Sequence, residues 1–324
     1  MNFNKVGNTS KVEGFALVKR CEVKVSTKGG KYLDLILSDK TGEISAKYWD
    51  YNEKETPVFG TNELVYVRGE ITEFRGAEQL RVEKIRNTLV QDNVNIEDYI
   101  KSAEFKSSDM FAKIVEIVSA FNDADLKNLV LKIYGENQEK LLSFPAAVRL
   151  HHAMRGGLLY HTLSIIKMAE KACEIYPTID RELLITGAAL HDVAKTVEMN
   201  ANEMGIASDY TVDGNLIGHL VRGAMMVREA GKELDVPEEK IVLVEHMLLS
   251  HHGKPEFGSP VRPMFLEAVV LNMLDELDAK VYEVSDVLSE VETGSFSARQ
   301  WALDDVRLYN HGRTENIAPK AQIL

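Results

Sequence analysis

The 324-residue chain is short of cysteine, of positive charge and of long apolar runs. Its two cysteines, Cys21 and Cys173, lie far apart and form no C-x-x-C pair, which excludes a disulfide scaffold and implies a reducing, cytoplasmic setting. No apolar stretch reaches the roughly 18 residues that a membrane helix needs. The opening MNFNKVGNTS lacks the apolar core of a signal peptide. The expectation is a protein that neither spans a membrane nor leaves by a standard signal. No internal repeat and no low-complexity tract is present, and 45% apolar residues exclude disorder. Lys and Arg number 38 against 50 Asp and Glu, a net charge of −12 that at first argues against a nucleic-acid partner.

The distribution of charge softens that argument. Residues 1–90 hold 15 basic and 13 acidic side chains and 9 of the 24 aromatics, while the remainder is strongly acidic. The length suits two domains. From Val12 to Arg86 the pattern is short and alternating. Phe15–Val25, Tyr32–Leu37, Glu43–Trp49, Glu63–Arg68 and Gln79–Ile85 read as five strands. The turn signals between them are Thr27–Lys31, Asp39–Gly42 and the polar stretch with Pro57 and Gly60. Five short strands in so few residues suit a small closed barrel of the oligonucleotide/oligosaccharide-binding (OB) type.

The expected layout is an OB domain over 1–90, a polar connector over 91–108, an all-α bundle over 109–295 and a C-terminal segment over 296–324. Ser108 or Asp109 can cap the first helix. Further helical segments are expected near 124–134, 136–142, 157–175, 181–195, 215–230, 238–250 and 263–291. The C-terminal segment carries Phe296, Trp301 and Tyr309, too many large apolar groups for a free tail, and is expected to dock on the bundle or on a neighbouring subunit.

Eight of the nine histidines fall between residues 151 and 252. His191 is followed by Asp192, and Lys195 four residues on shares its helix face, with Asp192 turned about 100° away. An imidazole beside a carboxylate is what a divalent transition-metal site needs: nitrogen for affinity, and oxygen able to bridge two ions. His161 and His219 sit on otherwise apolar helices, and His251-His252 end another. Asp275 lies in the apolar run Val269–Leu277, where an unpaired carboxylate is costly to bury. Any one of these reads most simply as a core histidine with a hydrogen-bond partner. Together they favour a metal cluster.

The succession Gly156-Gly157-Leu158-Leu159-Tyr160-His161, His191-Asp192-Val193-Ala194-Lys195, His219, His251-His252 and Asp275 resembles the HD-domain phosphohydrolases. With an OB barrel ahead of it, nearly the whole chain is similar to the YhaM-type 3′→5′ exoribonucleases. Gly253–Pro260 lacks the Gly-Tyr-Pro of the HD proteins that hydrolyse cyclic dinucleotides, which disfavours that subclass. The resemblance implies one metal on His161, His191, Asp192 and Asp275, and a second on Asp192, His219, His251 and His252. It implies manganese, one or two ions per chain; the mixed nitrogen and oxygen donors also accept iron, cobalt or zinc.

On that pattern Asp192, Lys195 and Arg155 are the catalytic candidates, Lys195 and Arg155 through the phosphate. Arg262 is a further phosphate contact, His152 a pocket-lining residue, and His151 and His246 structural ones. The barrel would stack bases on Tyr32, Tyr48, Trp49, Tyr66 and Phe74. Lys24, Lys28, Lys31, Lys47, Arg68, Arg75 and Arg81 would meet the phosphates. Tyr48 and Trp49 are neighbours on a strand, so they face opposite sides and at most one belongs to the core. The implied substrate is single-stranded RNA shortened from its 3′ end with release of nucleoside monophosphates, with single-stranded DNA as a second substrate and a homo-oligomer as the assembly. Two competing readings are a phosphohydrolase of a small nucleotide and a nucleic-acid-binding protein with a structural metal site. Intact His191-Asp192 and Lys195 argue against the latter.

Overall fold

The computed structural model describes residues 11–39, 42–74, 76–94, 99–100, 102–148, 152–202, 204–314, 317 and 321–324. It divides into two compact units, Met1–Lys101 and Ser102–Leu324.

The first unit is a closed barrel of β1 (Lys11–Val25), β2 (Lys31–Asp39), β3 (Gly42–Tyr48), β4 (Leu64–Phe74) and β5 (Ala77–Asn87), in the order β1-β2-β3-β5-β4. β1 is the shared stave: its first half pairs with β4 and its second half with β2, with a register shift between Val18 and Arg20. The parallel pairing of β3 with β5 completes the ring. Alternating side chains fill the interior, among them Leu33, Leu35, Leu37, Val65, Val67, Ile71 and Leu80, all fully buried. β4 bends at a second register shift beside Gly69, where a Cβ would come within 2.3 Å of the Arg81 carbonyl oxygen. Only glycine fits there. Asp34, inside β2, is buried and paired with both Lys24 and Lys47.

The second unit is a helical bundle of α1 (Ser107–Ser119), α2 (Ala124–Leu141), α3 (Gly157–Ile175), α4 (Arg181–Leu190), α5 (Lys195–Glu198), α6 (Val212–Leu216), α7 (Gly218–Glu233), α8 (Glu238–Ser250) and α9 (Leu266–Ser289). Asp123 and Asp180 cap α2 and α4 through their carboxylates. α1 begins earlier than its sequence suggests: Lys106 stands at its N-cap without a side-chain bond, and Ser108 and Asp109 lie in the first turn. The two segments expected around Gly135 are one helix.

Two hairpins interrupt the all-α plan. β6 (Met199–Ala201) pairs with β7 (Ala207–Tyr210), and β8 (Phe296–Gln300) with β9 (Val306–Tyr309). The second hairpin opens the C-terminal segment, and its strand β9 contacts α9. Phe296, Trp301 and Tyr309 stay exposed, and it is Ile323, 2% exposed, that enters the bundle core. No helix among the described residues is long and apolar enough to cross a membrane.

Candidate metal centre

Two glycines begin the site. Gly156 has φ +71°, and a Cβ on Gly157 would lie 2.0 Å from the His152 carbonyl oxygen. The chain can therefore turn tightly and start α3 against residue 152, which carries His161 into the core at 0% exposure. α4 ends at Leu190, and a turn over residues 191–194 separates it from α5. The shared helix face expected for His191 and Lys195 is thus replaced by a turn. It brings Lys195 Nζ to 2.7 Å from Asp192 Oδ2.

Around that turn two sets of donors converge. His161 Nε2 lies 3.1 Å from Asp275 Oδ1, 3.3 Å from His191 Nε2 and 3.7 Å from Asp192 Oδ2, and His191 Nε2 lies 3.3 Å from the same oxygen. The other oxygen of Asp192, Oδ1, lies 3.4 Å from His219 Nε2 and 3.7 Å from His251 Nε2. His219, His251 and His252 hold donor atoms within 4.8 Å of one another. Ligands about 2.1 Å from a common ion sit roughly 3–3.5 Å apart at octahedral or tetrahedral angles, which is the spacing found. Asp192 Oδ1, His219 Nε2 and His251 Nε2 are buried without a hydrogen-bond partner among the described residues. Orphaned buried acceptors are costly, and a divalent cation is what satisfies all three at once.

Each ring is fixed by its far nitrogen. The Nδ1–H groups of His191, His251 and His252 donate to the carbonyls of Ala188, Leu248 and Phe257 at 2.8–2.9 Å. A carbonyl only accepts, so Nδ1 holds the proton and Nε2 presents its lone pair. His161 Nδ1 lies 2.7 Å from Asp278, and His219 Nδ1 lies 2.8 Å from Glu198. Burial, then His252 and His191, push the His251 pKa far down, which keeps the ring neutral as a ligand must be. Burial would raise Asp192, yet Lys195, His191 and His219 hold it well below the ordinary carboxylate range. Burial would likewise lower His161, and Asp275 and Asp278 instead raise it to about 10, so a proton and a metal cation compete for that nitrogen.

The structure brings together His161, His191, Asp192, Lys195, His219, His251, His252 and Asp275. None of these distances involves Arg155 or Arg262: the Arg155 side chain approaches Gly205, and Arg262 is exposed on the segment between α8 and α9. His152 bonds Asp278 at 2.8 Å, and His246 accepts from the Met264 N–H at 3.0 Å. His151 and Arg75 lie outside the described residues. Asp278 and Glu198 are the site residues that sequence reasoning missed. Each stands three residues after a residue already singled out, Asp275 and Lys195, and that spacing was the signal available.

On the barrel, Tyr32 and Trp49 stack at 4.4 Å beside a hollow of about 480 Å³ lined by Val25, Ser26, Thr27 and Lys28. Lys47 Nζ stands 5.3 Å from the Tyr32 ring, and Lys28 enters no ion pair among the described residues. Tyr48 is half-buried against the core, Trp49 is 47% exposed and Phe74 is exposed. Tyr66 is already engaged by Glu13, Phe15 and Arg86. Lys24, Lys31 and Arg68 are paired with Asp34, Glu53 and Glu83. Arg81 sits on β5.

A closed five-stranded barrel followed by a helical bundle with this histidine–aspartate centre defines an HD-domain protein with an OB module. The family models agree: an OB-fold nucleic acid binding domain matches residues 12–88 and an HD domain matches residues 158–280. The chain is 34% identical to the 3′-5′ exoribonuclease YhaM of Listeria welshimeri, over 94% of this chain and 96% of that one. It is 35% identical to the YhaM of a Geobacillus species, over 92% and 91%, and 33% identical to that of Shouchella clausii, over 92% of each. It belongs to the YhaM family of 3′-5′ exoribonucleases.

Proposed function

We propose that the protein is a metal-dependent 3′→5′ exoribonuclease that shortens single-stranded RNA and releases nucleoside monophosphates. One observation carries this reading most: the two oxygens of Asp192 face two different donor sets. His161, His191 and Asp275 would share one divalent cation with Asp192, and His219, His251 and His252 would share a second. Manganese is the proposed ion, on a mixed nitrogen and oxygen donor set that iron, cobalt or zinc also suits. Two bound cations would supply a low-pKa water and charge neutralisation for a phosphodiester.

The chain's own groups do the rest. Lys195, held by Asp192, keeps a positive charge at the centre and can meet a phosphate oxygen or the leaving oxygen. Burial works against that charge, and Asp192, helped by Asp275 and Glu198, more than offsets it. Arg155 and Arg262 are proposed to contact phosphates. Tyr32, Trp49 and Lys28 are proposed as the barrel's grip on the strand, with bases on the rings and phosphate on the lysine. Single-stranded DNA fits the same grip. The exposed Met273, Leu277 and Val281 on one face of α9 support self-association, and two free cysteines support a reducing cytoplasm. The proposed functional division follows the sequence layout: 1–90 holds RNA, 91–108 connects, 109–295 hydrolyses and 296–324 docks.

The test is a 5′-labelled single-stranded RNA incubated with metal-stripped protein and added Mn²⁺, Mg²⁺ or no metal, with Asp192→Ala alongside. The expected result is a 3′-shortening ladder that needs metal and vanishes in the variant. Intact RNA with folded, metal-loaded protein overturns the reading and favours a small-nucleotide substrate.

A further inference from the structure

The five rings of the centre are not steadied alike. Main-chain carbonyls hold His191, His251 and His252, whereas buried carboxylates hold His161 and His219. The two carboxylates serve opposite sides of Asp192: Asp278 backs the set around Oδ2, and Glu198 backs the set around Oδ1. We propose that Glu198 and Asp278 are positioning residues, each governing one metal position, so that the two positions load separately. The inference rests on the two-position reading above.

Both groups are expensive to keep where they are. Glu198 and Asp278 are each 8% exposed, and neither pairs with a lysine or arginine among the described residues. A buried carboxylate is retained at a cost, and here its hydrogen-bond partners show what it does. Glu198 Oε1 accepts from His219 Nδ1 and, at 3.0 Å, from the His219 backbone N–H. Ring and helix start are therefore held by one atom. Asp278 Oδ2 faces His161 Nδ1 and His152 Nε2, and its Oδ1 accepts from the Ser164 hydroxyl. In both cases the carboxylate fixes the tautomer and aims Nε2, and such partners typically change metal affinity about 10–100-fold. No side chain carries both tasks, so loosening one ring leaves the other aimed.

Equilibrium dialysis of the metal-stripped full chain against Mn²⁺ alone tests this. Wild type should take up two ions. Glu198→Ala should keep one at wild-type affinity and bind the other about 10–100-fold more weakly, while Glu198→Gln, whose amide oxygen still accepts, should recover most of the loss. Adding His219→Ala to Glu198→Ala should cost little more, whereas adding it to Asp278→Ala should weaken both positions. Should Asp278→Ala not fold, the Ala and Gln pair at residue 198 carries the test. Variants that weaken both ions equally, or neither, overturn the separate-loading inference with the two-position reading intact. A wild type that binds one ion overturns both.

Discussion

The barrel and the bundle treat buried polar groups in opposite ways. In the barrel, Asp34 is buried but closed off by Lys24 and Lys47, so its charge is answered within the fold. In the bundle, Asp192 Oδ1, His219 Nε2 and His251 Nε2 are brought together and left without partners. One unit is complete as folded, and the other is built around something it must acquire. On the proposed reading the barrel's chemistry lies outside, on Tyr32, Trp49 and Lys28, and the bundle's lies inside. Holding a flexible strand asks for exposed rings and charge. Hydrolysing a phosphodiester asks for a dry, preorganised cluster.

The contrast breaks most sharply at Asp192. Asp192→Ala should lower turnover on RNA by about a thousandfold or more, roughly 4 kcal/mol of barrier, with RNA affinity retained. Single-turnover kinetics beside a filter-binding titration measure the two, and equal losses in both would erase the division of labour. Next in size is metal removal. Cations held at 100 times their dissociation constant add about 2.7 kcal/mol to the fold that binds them. Chelation should therefore lower the bundle's calorimetric transition by a few degrees and leave the barrel's in place.

Trp49→Ala is expected to weaken binding of single-stranded RNA by about 1–3 kcal/mol, seen as a raised KM with unchanged kcat. A fall in kcat at constant KM would move Trp49 out of the strand's path. The smallest effect is an acid one. Burial would raise the Asp34 pKa, but the bonds from Lys24 and Lys47 hold it below its ordinary 3.8. A carboxylate depressed in the folded state stabilises above its unfolded value, and that gain disappears as pH falls through the folded value. Trp49 fluorescence in a Trp301→Phe background should show the barrel loosening in that acid window, and Asp34→Asn should flatten the dependence.

Much of this was legible before any coordinates. Alternation exposed all five barrel strands, because a strand with one face in the core must repeat every two residues. The histidine–aspartate cluster showed because histidines on apolar helices need a reason to be there. Glu198 and Asp278 did not show, since a carboxylate three residues from another charge looks like an ordinary solvated face until burial is known. The break after Leu190 was hidden for a related reason: Val193 and Ala194 continue a helical pattern, and the turn over residues 191–194 has no Gly or Pro to mark it. At the C-terminus, aromatic content points to docking without naming the contact: Phe296, Trp301 and Tyr309 are exposed, and Ile323 is the residue in the core.

His161 and its partners on α9, Asp275 and Asp278, are more than a hundred residues apart in sequence. During synthesis the barrel is completed first and can fold while most of the bundle is unmade. The cutting centre cannot close until α9 has left the ribosome and packed against α3 and α4. The surface proposed to hold RNA is thus able to form before the centre proposed to cut it.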